Sequence, residues 1–143
     1  MIIESKFFGK IEIKDEHIIN FENGIPGFEK YKRYSILDIE GSKVFKCLQS
    51  IDESQVSFII VNPWDVIDDY EIDIKDSEIE SIAENDLSNI FVYSVVNISE
   101  DRVTCNLMAP IIVNVKTHKG KQFVPQSSKY SIKHRIIEHK ERE

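Results

Sequence analysis

The chain has 143 residues, about one domain's length, and a domain that size buries roughly two-thirds or more of its unfolded surface around one core. Its 25 acidic against 18 basic side chains give a formal charge of -7, which disfavours the phosphate-neutralising surfaces that dominate nucleic-acid binding. The start, Met1-Ile2-Ile3-Glu4-Ser5-Lys6, turns charged too early for a secretory leader, and no apolar run approaches the ~20 residues of a membrane span, so a cytoplasmic location without membrane contact is expected.

Strand patterns fill most of the chain. Short strands are expected near Ile3 to Phe7, Lys10 to Ile13, His17 to Phe21, Tyr34 to Ile39 and Val44 to Leu48. Val56 to Val61 and Ile90 to Val96 are rich in β-branched and aromatic residues and read as central strands. Tyr70 to Ile74 is expected as an edge strand with Glu71 and Asp73 facing solvent, opposite Ile72 and Ile74. Alternation from Arg102 to Leu107 puts Val103, Cys105 and Leu107 on one face, and Ile111, Val113 and Val115 form the next such set. A last strand is expected at Gln122 to Val124. One short helix is predicted from Ser77 to about Asn85, where Ser77 and Glu80 have capping-box spacing and Ile79, Ile82 and Ala83 share a face that would lie like a lid on the sheet. So many short strands with one helix predict a mainly β fold, a small closed or partly open barrel, as a single domain over residues 1–132. Residues 133–143 read as a charged C-terminal tail that frays or folds only on a partner.

Charge is unevenly distributed. From Asp65 to Asp86 ten acidic side chains stand against Lys75 alone, while from Lys116 onward eight basic side chains face three acidic ones. A solvated acidic edge would discourage sheet-to-sheet aggregation. The same surface would serve as a docking face for a basic protein, with Trp64, Asp65, Asp68, Asp69, Tyr70, Glu71 and Asp73 as the candidate contacts, since an aromatic beside carboxylates suits an interface core with a charged rim.

Catalytic patterns are absent from the sequence. Neither Cys47 nor Cys105 belongs to a CxxC pair, and both read as buried free thiols. His134 and His139, five apart in the charged tail, are the one histidine pair with possible metal-ligand spacing and read as accidental, and there is no GxSxG elbow, HExxH or glycine-rich phosphate loop. No catalytic residue, cofactor site or metal site is therefore assigned. Two other classes stay open on sequence alone: an OB-like barrel that binds single-stranded nucleic acid, and an enzyme of unfamiliar type.

Three local features are distinctive. In Phe21-Glu22-Asn23-Gly24-Ile25-Pro26-Gly27-Phe28-Glu29, Pro26 and Gly27 fit the two central positions of a type II turn, with Phe21 and Phe28 as core anchors on either side. Val61-Asn62-Pro63-Trp64 ends a buried strand. In Asn106-Leu107-Met108-Ala109-Pro110-Ile111, Asn106 can bond the backbone at a corner before Pro110 opens a strand. Taken in order, Gly24, Pro26, Gly27 and Phe28, then Phe45 with Leu48, Gln49 and Ser50, Phe58 with Pro63 and Tyr70, Thr104 with Asn106, Leu107 and Pro110, and Gly120 to Gln122 with Tyr130, resemble the flagellar assembly factor FliW family over nearly the whole chain. The resemblance implies a barrel-like fold without cofactor that binds flagellin in a chaperone-like way; the unbound chain is expected to be monomeric. The resemblance also implies binding to the translational regulator CsrA, as an antagonist that relieves repression of flagellin translation.

Overall fold

The computed structural model describes residues 1–72 and 74–136. An amino-terminal hairpin, β1 (Ile2–Ser5) and β2 (Gly9–Glu12), stands apart from a larger sheet. That sheet holds β3 (Ile19–Asn20), β4 (Arg33–Asp38), β5 (Phe45–Ser50), β6 (Ser57–Val61), β7 (Ile90–Ile98), β8 (Val103–Cys105), β9 (Ile111–Asn114), β10 (Lys119–Gln122) and β11 (His134–Arg135), with one helix, α1 (Asp76–Ala83). Antiparallel neighbours run β3-β4-β5-β6-β7, and β7 continues onto β9 and β10. A single parallel bridge, Asn20 to Lys119, returns to β3 and closes the ring.

β7 makes closure possible because its nine residues serve two partners in succession along one edge. Ile90 to Tyr93 pair with β9, and Val96 to Ile98 pair with β8. The corner from Asn106 to Pro110 separates them: Asn106 Oδ1 accepts hydrogen bonds from the amides of Met108 and Ala109 at 3.1 and 3.0 Å, which bends the chain as the sequence suggested. β8 thus leaves the ring and carries β11 on its far side.

Register decides which side chains fill the barrel. Tyr34, Leu48, Phe58, Ile60, Ile111 and Val113 share the inner face with Phe21 and Ile25, and Tyr34 and Phe21 meet edge to face at 5.2 Å. The outer face is covered three times. The hairpin packs Ile3 beside Ile13, Ile18 and Ile51; α1 sets Ile82 and Ile79 on Val92, Ile112 and Phe123; the segment after β6 sets Tyr70 on Val61, Val96, Cys105 and Leu107. β9 is consequently buried on both faces. Cys47 and Cys105 are fully buried free thiols, as expected.

Several elements differ from the sequence expectation. Among the described residues of Tyr70 to Ile74 there is no strand, because Tyr70 turns inward to cover the sheet instead of adding to its edge. Ser77 does not cap α1: the capping position is Lys75, without a side-chain hydrogen bond, so the capping-box spacing is coincidental. The helix does lie against β9 and β10 as a lid. The strand expected at Gln122 to Val124 falls on Lys119–Gln122, leaving Val124 exposed, and His134–Arg135 join the sheet within the stretch read as tail. Asp73 and residues 137–143 lie outside the described residues.

The motif glycines have structural causes. Gly27 sits at φ +89° with the Phe28 amide donating to the Ile25 carbonyl at 2.7 Å, the expected type II turn around Pro26. Gly24 has φ +68°, and a Cβ there would stand 2.6 Å from Glu29 Cα, so no other residue fits. Phe21 is a core anchor, but Phe28 is 40% exposed and rests edge-on against Phe58 instead of entering the core.

Candidate functional site

The segment that leaves β6 builds an aromatic bracket. Asn62 Oδ1 accepts from the Trp64 amide at 2.8 Å, and buried Pro63 opens a 3-10 turn over Pro63–Asp65, whose fixed φ the ring pre-sets. The turn throws Trp64 outward. Its indole remains 38% exposed, yet Nε1 donates to the Tyr70 carbonyl at 2.9 Å and the ring stands edge-on to Tyr70 at 5.4 Å. Trp64 is therefore an exposed aromatic held in one orientation.

Tyr70 belongs to the bracket and not to the surface. It is 4% exposed, its hydroxyl donates to the Leu107 carbonyl at 2.8 Å, and its ring packs 4.7 Å from Tyr130. Burial pushes its phenol up to about 12. Tyr70, a candidate contact on sequence, thus presents little surface to solvent and instead braces Trp64. Tyr130 completes the support: its hydroxyl accepts from the Glu71 amide at 2.7 Å. Sequence reading gave Tyr130 no such task, because 59 positions separate it from Glu71 and no local pattern links them.

Around this bracket Asp65, Asp68, Asp69 and Glu71 are all exposed, and the solvent side of α1 adds Asp76, Glu78 and Glu80. Glu71 faces solvent as alternation suggested, although the reason is the bracket and not a strand. Among the described residues the basic C-terminal stretch reaches this region at two places, Lys129 to Glu71 at 3.7 Å and Lys119 to Glu84 at 3.1 Å, both exposed pairs of small energetic weight. Most of the acidic charge stays open to a partner.

The family-motif residues have other tasks. Leu48 and Leu107 are fully buried, and Asn106 with Pro110 forms the corner between β8 and β9. Gln49 lies wholly inside, where Oε1 accepts from Ser5 Oγ at 2.7 Å and Nε2 donates to the Ser50 carbonyl at 3.1 Å. On sequence Gln49 entered as part of the family motif, beside Leu48 and Ser50. Its actual role is to tie the hairpin to β5. Among the described residues no group of three or more His, Cys, Asp or Glu side chains is placed to hold a metal, and no helix is long and apolar enough to cross a membrane.

Comparison with known proteins matches the FliW protein family model to residues 2–136. The flagellar assembly factor FliW of Clostridium novyi (strain NT) is 39% identical over 139 residues, covering 96% of this chain and 97% of the relative. That of Alkaliphilus metalliredigens (strain QYMF) is 38% identical over 141 residues, covering 96% and 87%. A crystal structure of the flagellar assembly factor FliW superposes with a TM-score of 0.88 at 34% identity, covering 98% of this chain and 99% of the other.

Proposed function

The chain belongs to the FliW family, and from that premise we propose that it is a cytoplasmic flagellar assembly factor that works by switching between protein partners. It binds flagellin, and it binds the translational regulator CsrA as an antagonist, relieving repression of flagellin translation. Newly made flagellin captures the factor and frees CsrA to repress again; flagellin secretion returns the factor to the pool. The unbound chain is a monomer, and its work is binding, without a turnover step or cofactor.

The observation that carries this reading is the match to flagellar assembly factors along nearly the whole chain. The surface chemistry supports the CsrA half. An RNA-binding regulator presents basic groups, and here Asp65, Asp68, Asp69 and Glu71 stand exposed around a fixed indole. Carboxylates docked beside an RNA site repel phosphate and so oppose RNA binding. Trp64 supplies the apolar contact, Tyr70 holds it in place, and Asp73 adds charge to the same stretch of sequence.

Co-purification of the chain with flagellin and, separately, with CsrA tests the reading. Capture of both at physiological ionic strength is expected. Failure with either partner, or efficient conversion of a small substrate by the purified chain, would contradict it.

A further inference from the structure

The rigid turn around Pro26 is only half explained by the core. Ile25 is 3% exposed and plugs the barrel, whereas Pro26 is exposed and Phe28 is 40% exposed beside Phe58. Next to them opens a cleft of 420 Å³ with apolar walls from Pro26, Phe58, Val95 and Ile132. Ile132 is 57% exposed there.

Two amides in the cleft have half their capacity uncommitted. Asn106 uses Oδ1 on the Met108 and Ala109 amides, which leaves its NH2 as a donor. Gln122 uses Nε2 on the Ala109 carbonyl, which leaves its oxygen as an acceptor. A donor and an acceptor beside an apolar wall match one peptide group and one adjacent side chain. The charge balance selects the sequence of that peptide. Among the described residues no carboxylate lines the cleft and its one charged wall residue is Lys133, while Lys30 and Lys32 follow on the adjoining loop. Glu29, the one acid between Pro26 and Lys32, is engaged by the Gly27 amide at 3.1 Å.

We propose that this cleft is a second protein-docking site, sharing no residue with the acidic face, which takes an extended acidic segment of a partner and seats a branched aliphatic side chain between Pro26, Phe58 and Ile132. The two faces then select partners of opposite charge.

The test is a nuclear magnetic resonance titration of the whole chain with three capped synthetic peptides: alternating Glu and Leu, alternating Lys and Leu, and alternating Glu and Ser. The Glu/Leu peptide is expected to shift the amides of Phe28, Phe58, Asn97 and Ile132 and the Asn106 side-chain NH2 to saturation, with the other two weaker by about tenfold. Lys133→Glu is expected to weaken the Glu/Leu peptide several-fold, and Asp68→Lys to leave it unchanged. Absence of saturation, equal affinity for the Lys/Leu or Glu/Ser peptide, or shifts centred on Trp64 would overturn the proposal. So would concentration-dependent shifts of the same amides without peptide, which would assign the cleft to a second copy of the chain.

Discussion

Gln49 has no exposed surface, and removing its amide would orphan the Ser5 hydroxyl that also accepts from the Phe7 and Phe8 amides. A buried polar group left unpaired costs about 1–3 kcal/mol, so Gln49→Ala is expected to destabilise the fold by that amount in chemical denaturation. Hydrogen exchange should locate the loss at the hairpin, at Lys6, whose amide bonds the Ser54 carbonyl, before the barrel strands respond. Exchange that quickens evenly across the molecule would count against Gln49 as the hairpin's tie. Tyr34 and Tyr70 offer a second residue-scale test. Burial raises both phenols from 10.0 to about 12, so the folded state holds these protons more tightly than the unfolded one. Their contribution is complete below pH 10 and is lost as pH rises towards 12. An ultraviolet titration should show these two phenolates emerging late or together with unfolding; ordinary ionisation in an intact fold would refute the burial argument.

At the scale of elements, the segment from Asn62 to Ile72 is where local pattern and structure part. Alternation from Tyr70 to Ile74 looks like an edge strand, yet Tyr70 is recruited by Leu107 and Tyr130, partners distant in sequence. Such recruitment leaves no periodic trace. Gln49 was illegible for a related reason: period-2 patterns sort one buried face from one wet face, and the hairpin covers the face that would otherwise be wet. By contrast the central strands, the lid helix and the Pro26-Gly27 turn were legible because their causes are local: β-branched runs, apolar spacing and fixed φ. Tyr70→Phe probes the bracket directly. The ring stack is kept while the Leu107 carbonyl loses its donor, so a loss of about 1–3 kcal/mol is expected, together with a changed Trp64 fluorescence as the indole loosens. Unaltered stability and emission would show that the hydroxyl does not brace the site.

Across the whole molecule, charge is sorted by position. The acidic stretch was visible in the sequence as a count; its value as a surface comes from the bracket that turns Trp64 outward and leaves Asp65, Asp68, Asp69 and Glu71 exposed. Which of the two aromatics turns outward was beyond sequence, since Trp64 and Tyr70 have the same composition signal and opposite burial. Exposed charges contribute little to stability, so a triple reversal of Asp68, Asp69 and Glu71 to lysine should leave the melting temperature nearly unchanged. Titration calorimetry of the native chain and this triple variant against CsrA, from low to high salt, tests the central claim most directly. Native affinity is expected to fall as salt rises, and the variant to bind on the order of tenfold more weakly at low salt, the two converging at high salt. Equal affinities for the two proteins, unmoved by salt, would contradict the account.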